Sequence, residues 1–208
     1  MNKLDLQRIS CVLVDGIDSN QSAKVLNYCA NLCNFSSVKL FSFEKPNIQY
    51  NHEFIQIKKF TYPEYNRFLI KDLSSYINTD YVLIVQTDGF IVNINSWSHD
   101  FLKYDYIGAP WVGGTLPNTR VGNGGFSLRS KKFIERCAFP DIAINSDQED
   151  IVVCCTNKHI IERSGLKYAP VEVAAKFSWG GDIPEIQRTW EDCFGAHCKI
   201  QEFLNLIK

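Results

Sequence analysis

The sequence predicts a single α/β domain over residues 1–208, built on a central, mostly parallel sheet with helices on its faces. Three observations predict this class. Strand-like and helix-like stretches alternate along the chain, which is typical of layered α/β proteins. The stretch 81–85 is a continuous apolar run, as expected of a strand that is buried on both faces. The length of 208 residues fits one domain, and no linker or internal repeat divides it.

Composition and charge argue against several classes of protein. Apolar residues make up 45% of the chain and charged residues 22%, which is ordinary for a globular protein. The net charge of −1 argues against a dedicated nucleic-acid binder, which usually carries a basic excess, and against a polybasic membrane-binding surface. The eight cysteines are too sparse for a disulfide scaffold, so we expect most of them to be small buried hydrophobic residues.

The sequence also predicts where the protein works. It has no run of about 18 apolar residues that would span a membrane, and its first eight residues lack the apolar core of a signal peptide. We therefore expect a cytoplasmic protein with at most peripheral contact with the inner face of a membrane. The amphipathic tail 200–207 is the candidate for such contact, and packing of its apolar face on the domain is the other role open to it.

The first half of the chain is expected to build the parallel part of the sheet. The apolar run 10–14 ends at Asp15-Gly16, which indicates a buried strand followed by a turn. Ser19 or Asn20 is a candidate cap for the helix that follows. The elements predicted next are a helix to about residue 33, strands at 38–43 and 54–58, an amphipathic helix at 62–77, and the buried strand 81–85.

The second half is richer in loops and glycines. The glycine-rich stretch 122–125 leads into the strand-like segment 126–129. Beyond it, apolar spacing and helix-start signals predict further elements. These are a helix at 130–138, a helix that begins near 146 and runs past 159, a late strand at 171–177, and the short helix 200–207.

Asp88 is the most informative single residue. It lies in Gln86-Thr87-Asp88-Gly89, directly after strand 81–85, and ligands of open α/β sheets bind outside the carboxyl ends of the strands. A carboxylate there suits a divalent cation that bridges to phosphate oxygens, and Gly89 lets the backbone approach a ligand. The alternative is a polar residue that ends the strand and begins a turn.

Three glycines around an asparagine form a second candidate, Gly122-Asn123-Gly124-Gly125. Such a loop permits positive φ angles and close contact between the backbone and a ligand. It matches neither a Walker phosphate-binding loop nor a dinucleotide fingerprint. The alternative is a hairpin turn, which the Asn-Gly pair favours.

Two further carboxylates, Glu149 and Asp150, stand at the start of a predicted helix. A carboxylate beside a cleft is a candidate general base, which would take a proton from an acceptor hydroxyl. The segment 146–149 also matches a capping box, so a structural role at the helix start is the alternative.

A late histidine and two tryptophans complete the candidates. His197 stands beside a glycine-bearing turn and is a candidate metal ligand or phosphate contact. Neighbouring cysteines invite a zinc interpretation, but their spacing provides no Cys-x-x-Cys pair. Trp111 and Trp179 stand beside glycine pairs and are candidates for stacking on a sugar or base, with core packing as the alternative.

In combination these segments resemble a family of bacterial proteins that are regarded as glycosyltransferases of the GT-A type and are often linked to surface polysaccharide synthesis. The resemblance covers most of the chain from about residue 60 onward, and its most specific part is the long glycine-containing segment. The segments that carry it are, in order, QTDG at 86–89, YDYIGAPW at 104–111, GNGGFSLRS at 122–130, EDI at 149–151 and FGAH at 194–197.

The resemblance implies a GT-A-like fold that binds a nucleotide-sugar donor, a UDP-sugar by preference, with the nucleotide near the first strand. Asp88 matches the second acid of the GT-A Asp-x-Asp motif, and Gln86 replaces the first. His197 matches the late histidine that completes a site for Mn²⁺ or Mg²⁺ in related transferases. The residues implied in donor binding are Asp15, which would contact the base or ribose, and Gln86, Thr87, Asp88, Gly89, Trp111, Asn123, Gly124 and Gly125.

The resemblance also implies a mechanism. The segment 149–151 is similar to the Glu-Asp-Val segment of inverting transferases, in which the second acid is the base, so Asp150 takes that role and Glu149 stands in reserve. The expected reaction moves a sugar to a hydroxyl of a glycan or lipid-linked acceptor. Two alternatives remain open. One is a non-catalytic sugar- or nucleotide-binding module, which Gln86 favours, and the other is a metal-dependent phosphoesterase that uses Asp88, Asp150 and His197.

Overall fold

The computed structural model describes residues 2–112, 120–145 and 148–207. These residues form a six-stranded main sheet and a three-stranded small sheet. The strands, in chain order, are β1 (Leu4–Val14), β2 (Cys33–Ser42), β3 (Glu53–Gln56), β4 (Tyr81–Ile84), β5 (Gly89–Ile91), β6 (Tyr106–Ile107), β7 (Ser127–Ser130), β8 (Ser178–Trp179) and β9 (Gly195–His197).

The helices cover both faces of the main sheet. The α-helices of the described part are α1 (Ser19–Leu32), α2 (Tyr62–Arg67), α3 (Lys131–Cys137), α4 (Glu149–Ile151), α5 (Lys158–Arg163), α6 (Val171–Phe177) and α7 (Gln201–Leu204). Two π-helical segments follow α2 and α4, at Phe68–Asp72 and Val152–Thr156. Short 3₁₀ helices lie at Leu73–Tyr76, Ile94–Ser96, His99–Lys103, Trp190–Asp192 and Asn205–Ile207.

The main sheet has the strand order β3-β2-β1-β4-β7-β6. The four strands from β3 to β4 are parallel, and β7 and β6 are added in antiparallel pairs. The predicted mostly parallel α/β sheet is therefore confirmed. A single domain over 1–208 stays a prediction.

Alternation along β1 and β4 explains why both strands read as continuous apolar runs. Successive side chains of a strand point to opposite faces. Cys11 and Leu13 enter the apolar core on one face of the sheet, and Val12 and Val14 enter the core on the other face. The side chains of the strand at 81–85 likewise alternate between the two apolar cores. These strands are buried on both sides, as the apolar run predicts.

The N-cap of the first helix lies one residue before the two predicted caps. Asp18 is the N-cap of α1, because its carboxylate accepts hydrogen bonds from the backbone N–H groups of Asn20 and Gln21 at 3.0 and 3.1 Å. The prediction of Ser19 or Asn20 as the cap is therefore wrong. Asp, Ser and Asn are almost equally good caps, so their spacing along the chain could not separate them.

Two of the predicted helices are composite. The helix predicted at 62–77 exists, but it passes from α2 through a π-helical segment into a 3₁₀ helix that ends at Tyr76. The predicted helix past residue 159 is divided in a similar way and ends at Arg163. Its predicted start at Ser146, and the first two residues of the capping box, lie outside the described residues.

The predicted strand at 171–177 is wrong, because Val171–Phe177 forms helix α6. Pro170 is its N-cap, and the carbonyl oxygen of Pro170 accepts the N–H of Ala174 at 2.9 Å. Valine favours strands by propensity. Here tertiary burial of Ala174, Ala175 and Phe177 on one helical face outweighs that weak preference.

The tail packs on the domain. Phe203 of α7 is fully buried and stacks on Phe90 of β5 with 4.0 Å between ring centroids, and Ile207 is also buried. The apolar face that was a candidate for membrane contact is thus covered by protein. No helix in the described part of the chain is both long enough and apolar enough to span a bilayer.

Candidate functional site

The strand order creates a crevice between β1 and β4. From β1 the chain continues to β2 on one side, whereas β4 lies on the other side of β1. Ligands of open α/β sheets bind at such a reversal of strand order, outside the carboxyl ends of the strands. A cavity of 480 Å³ lies at this point and is lined by residues 13–18, 60–62 and 86–88, among others. Its size is in the range of small-molecule sites.

Asp15 organises the wall of the cavity that follows β1. One carboxylate oxygen accepts the backbone N–H groups of Ile17 and Asp18 at 2.9 and 3.0 Å, and the other accepts the hydroxyl of Ser42 at 2.8 Å. Asp15 is buried and still lines the cavity. It therefore fixes the turn between β1 and α1 in addition to any contact with a ligand.

The segment after β4 is a tight hairpin. Gln86 and Gly89 exchange two backbone hydrogen bonds, at 2.7 and 3.0 Å, so that Thr87 and Asp88 occupy the corner. The side-chain amide of Gln86 donates to the hydroxyl of Tyr65 at 2.7 Å. Thr87, Asp88, Gln86 and Tyr65 all line the cavity. The turn interpretation and the ligand-site interpretation of this motif are therefore compatible.

Asp88 and His197 form a pair beside the cavity. Nε2 of His197 lies 3.3 Å from Oδ1 of Asp88, because β5, which begins next to Asp88, pairs with β9, which ends at His197. The hydrogen bond from His197 and the positive charge of its ring lower the pKa of Asp88. The other ring nitrogen, Nδ1, hydrogen-bonds Oδ1 of Asn123.

The chemistry of this pair fits a cation. An amide oxygen accepts, so Nδ1 carries a proton. With a proton on Nε2 as well, the ring is positively charged and donates to Asp88, which is the state that lowers the pKa of Asp88. Without that proton, Nε2 faces the carboxylate as an acceptor, and a metal ion between the two would take the place of the proton. The described residues contain no group of three or more His, Cys, Asp or Glu side chains placed to hold a metal. A metal held by Asp88 and His197 would therefore draw its other ligands from substrate phosphate and water, as Mg²⁺ sites often do.

The glycines of 122–125 allow close contact between this loop and functional side chains. A Cβ atom at Gly125 would lie 2.5 Å from Cε1 and Nε2 of His197, and one at Gly124 would lie 1.8 Å from Oε1 of Glu149. Asn123 has a φ of 59°, a left-handed conformation that asparagine tolerates better than most residues. The loop 122–125 is thus in close contact with both His197 and Glu149.

Asp150 contacts the same loop. Its Oδ2 accepts the backbone N–H of Gly124 at 3.1 Å, and its Oδ1 accepts the backbone N–H of the next residue, Ile151, at 2.9 Å. The side chain is half-buried. Burial and the nearby charges of Asp150 and Glu149 raise the pKa of Tyr62, which lines the cavity. Asp150 is therefore bound to the loop, and its charge acts on a residue of the cavity wall.

Glu149 faces inward and pairs with Arg129. The guanidinium donates to the two carboxylate oxygens at 2.7 and 3.0 Å, and both side chains are almost fully buried. Burial raises the pKa of Glu149, and the charge of Arg129 opposes that rise. Arg129 also donates to the hydroxyl of Ser127 at 3.1 Å, which in turn donates to the carbonyl of Gly124 at 3.0 Å. A closed network thus holds the loop and the start of α4 together.

Trp111 and Trp179 lie away from the cavity between β1 and β4. Trp111 covers Gly122, where a Cβ atom would lie 2.1 Å from the indole ring. Trp179 belongs to β8 in the small sheet. Neither is among the residues that line the 480 Å³ cavity.

Three residues of the site carry no sequence signal. Tyr62 and Tyr65 read as parts of an amphipathic helix, and Arg129 reads as part of a strand. Their functions depend on contacts with residues far along the chain, such as Gln86 for Tyr65 and Glu149 for Arg129. A basic residue in a short, otherwise buried strand is a weak indication of a buried ion pair.

Comparison with protein families gives one match. Residues 48–197 match the family described as "Protein of unknown function (DUF5672)". The matched region contains the hairpin 86–89, the loop 122–125, Asp150 and His197, and it begins after Asp15. No curated protein matches the sequence.

Two solved structures are similar to this one over nearly their whole lengths. The galactosyltransferase LgtC, in complex with donor and acceptor sugar analogs, has a TM-score of 0.52 at 13% identity, with 95% of this chain and 95% of that chain covered. A glycosyltransferase involved in the glycosylation of the major capsid of PBCV-1 has a TM-score of 0.49 at 14% identity, with 95% and 98% covered. The likeness to LgtC shows the fold alone, and it confirms the predicted GT-A-like glycosyltransferase fold.

Proposed function

This chain belongs to the DUF5672 family, and we propose that it is a glycosyltransferase that moves a sugar from a nucleotide-sugar donor to a hydroxyl of a glycan or lipid-linked acceptor. One observation carries the proposal. The cavity at the reversal of strand order is lined by Asp88, Asp88 pairs with His197, and the loop 122–125 links that pair to Asp150. In this proposal the Asp88–His197 pair binds the donor phosphates and Asp150 serves as the base.

The cavity walls suit a nucleotide. Ile17 and Tyr62 line it with exposed apolar side chains, and such surfaces stack on a base. Asp15 and the backbone around it supply polar groups for a base or ribose. We propose that the donor is a UDP-sugar whose diphosphate lies toward Asp88 and whose sugar lies toward the loop 122–125, with Gln86, Thr87 and Gly89 beside the phosphates.

We propose that Asp88 and His197 hold a divalent cation, Mn²⁺ or Mg²⁺, together with the diphosphate. When bound, the cation supplies Lewis-acid stabilisation of the negative charge on the departing diphosphate. Gln86 is neutral where the first acid of an Asp-x-Asp motif would stand, and its amide donates a hydrogen bond to Tyr65. The protein's own share of the cation's ligands therefore comes from Asp88 and His197.

Asp150 acts as the general base in this proposal. The acceptor hydroxyl gives its proton to a carboxylate oxygen of Asp150, and the acceptor oxygen forms a bond to the anomeric carbon. The bond from that carbon to the diphosphate breaks, and the electron pair leaves with the nucleoside diphosphate. Direct displacement of this kind inverts the anomeric configuration. Glu149 positions Asp150 through its pair with Arg129.

A specific observation supports the alternative of a non-catalytic binding module on the same fold. Gln86 occupies the place of the first motif acid, and the described residues contain no three-ligand metal cluster. The same observation weakens the phosphoesterase alternative, which needs more metal ligands from the protein. Synthesis of a surface polysaccharide is the setting that we propose for the transferase.

Nucleotide binding tests the proposal first. Melting temperatures are measured with UDP, GDP, CDP, ADP and a CMP-sugar, each with and without Mn²⁺. A ligand at about 100 times its Kd stabilises a protein by about 2.7 kcal/mol. We expect UDP to raise the melting temperature most, Mn²⁺ to increase that rise, and Asp88→Ala to remove the Mn²⁺-dependent part.

A matched control and a turnover assay complete the test. Asp5→Ala changes an exposed acid at the opposite, amino end of β1 and should leave every shift unchanged. Release of UDP from a UDP-sugar, followed by NMR, separates an enzyme from a binding module. Stabilisation by UDP without any sugar transfer or hydrolysis would favour the non-catalytic alternative, and no response to any nucleotide would overturn the donor site.

A further inference from the structure

A second cavity, of 370 Å³, lies against the small sheet. Trp179 of β8 pairs with Ala196 of β9, and side chains of paired residues share a face. His197, the next residue of β9, points to the opposite face. The second cavity is therefore on the other side of the small sheet from the Asp88–His197 pair. Its lining includes two tryptophans, one arginine and three carboxylates, which are Trp179, Trp190, Arg188, Asp182, Glu191 and Glu202.

The tryptophans present rigid apolar surfaces to this cavity. The indole nitrogen of Trp179 is buried, so the part of its partly exposed ring that reaches the cavity is hydrocarbon. Trp190 begins a 3₁₀ helix that is fixed by a capping box, in which Asp192 accepts the N–H and the hydroxyl of Thr189 at 2.8 and 2.9 Å. Trp190 also packs edge-on against Phe203.

The polar side chains around the tryptophans are of two kinds: one arginine that is held by hydrogen bonds, and three carboxylates that are exposed to solvent. Arg188 is held in place by backbone carbonyls, at 2.8 Å from Ala175 and 3.4 Å from Ser178. Asp182, Glu191 and Glu202 are exposed. Carboxylates accept hydrogen bonds from sugar hydroxyls, and a guanidinium donates to them. With three acids and one arginine, the cavity disfavours a phosphorylated or carboxylated sugar.

The second cavity is connected to the Asp88–His197 pair through neighbouring residues. Gly180 follows Trp179, and a Cβ atom at Gly180 would lie 2.6 Å from the side-chain amide nitrogen of Asn123. Asn123 hydrogen-bonds His197. Strand β8 lies at the edge of the small sheet, so the second cavity is separated from His197 only by that edge and by Asn123.

We propose that this second cavity binds an uncharged sugar residue of the acceptor glycan, beyond the sugar that carries the reacting hydroxyl. The assignment of this sugar to the acceptor substrate rests on the proposed glycosyltransferase function. The binding of the sugar to the cavity requires no donor. Indole faces stack on the C–H face of a sugar ring, and the carboxylates and Arg188 bind its hydroxyls. The substrate is accordingly an oligosaccharide or its lipid-linked form, held at two points.

Saturation-transfer NMR tests the binding with three probes, lactose, maltotriose and chitotriose. We expect at least one of them to receive saturation from the protein. The signal should be lost in Trp179→Leu, which keeps apolar packing, and retained in Trp179→Phe, which keeps a ring. Because Trp179 also packs against the core, exposed Glu191 gives a second variant, Glu191→Gln, which should weaken the signal without lowering the melting temperature. Trp97→Phe is the matched control, since Trp97 packs on Phe101 and Phe194 and does not line the second cavity.

Three results would overturn the proposal. They are no saturation of any probe, a signal that survives both Trp179→Leu and Glu191→Gln, and displacement of the sugar by tetramethylammonium, which would identify an aromatic site for cations. The UDP melting shift separates this proposal from the proposed function. Sugar binding without a UDP response would overturn the donor site and support the sugar site in the second cavity. A UDP response without sugar binding would support the donor site and overturn the sugar site.

Discussion

The backbone N–H of Gly124 donates a hydrogen bond to Oδ2 of Asp150 across 3.1 Å. This bond fixes the carboxylate against the loop whose next residue, Gly125, contacts the ring of His197. Both oxygens of Asp150 accept a backbone N–H, and each retains a further lone pair for a hydroxyl proton. For the base role that we propose for Asp150, the carboxylate is thus positioned by the protein alone.

Asp150→Asn should abolish turnover and keep nucleotide binding. The amide retains the shape of the side chain but cannot take a proton, and loss of a general base costs roughly 10²–10⁴-fold in rate. Sugar transfer or donor hydrolysis is measured beside the UDP melting shift, with Asp5→Asn as the exposed control. Full activity of Asp150→Asn would remove Asp150 from the base role.

Glu149→Gln should destabilise the fold severely. The substitution leaves the charge of Arg129 buried without a counter-charge, which typically costs about 3–5 kcal/mol. The free energy of unfolding is measured by urea titration. Asp141→Asn is the matched control, because Asp141 pairs with Arg136 at the surface and such pairs contribute less than about 1 kcal/mol. An equal, small effect of both substitutions would show that the buried pair has no special structural role.

Gly125→Ala should displace His197. The new methyl group would lie 2.5 Å from Cε1 and Nε2 of the ring and 2.6 Å from Oε1 of Gln86, closer than such atoms approach. We expect loss of the Mn²⁺-dependent part of the UDP melting shift. If the effect passes through the histidine, His197→Ala in the Gly125→Ala background adds nothing further, as a double-mutant cycle would reveal. Additive effects would place the role of Gly125 elsewhere.

We expect His52 to make the free energy of unfolding depend on pH in the acid range. Burial lowers the pKa of His52 from 6.5 to about 4, its ring nitrogens are buried without a hydrogen-bond partner among the described residues, and it stacks on Tyr50. The unfolded chain therefore takes up the proton first, so the contribution of His52 to the free energy of unfolding falls as pH drops from 6.5 toward 4 and is constant below that.

His52→Gln removes this dependence. Urea unfolding of the parent protein and of His52→Gln is compared at neutral pH and in the middle of the acid window. We expect the parent to lose more stability than the variant between the two conditions. An identical loss in both proteins would mean that His52 is protonated as easily in the folded chain as in the unfolded one.

The elements that could be predicted from sequence are those with an unambiguous hydrophobic period. Strands β1 and β4 are buried on both faces and read as continuous apolar runs, and α1 and α3 carry capping signals. The prediction failed at α6, where valines suggest a strand and only the tertiary packing of Ala174 and Phe177 makes the helix preferable. The small sheet escaped prediction because its strands are two or three residues long.

The sequence indicated the candidate residues of the site, but it did not indicate the hydrogen bonds and ion pairs between them. Asp88, Asn123, Asp150 and His197 stand out because polar residues and glycines interrupt apolar stretches. Sequence spacing gave no means to separate Glu149 from Asp150, since adjacent carboxylates look alike until one is found beside Arg129. The partner of each group lies on a distant part of the chain, and no local period or propensity records that contact.

The strand order also sets an order of assembly on the ribosome. The parallel strands β1 to β4 all lie before residue 85 and can pair as soon as they emerge, whereas β7, which covers the other edge of β4, is made later. During that interval the nascent chain displays the unpaired edge of an apolar strand, which is a template for aggregation. Rapid translation from Ile84 to Ser127, or a chaperone bound to that edge, would protect the protein at its most vulnerable stage.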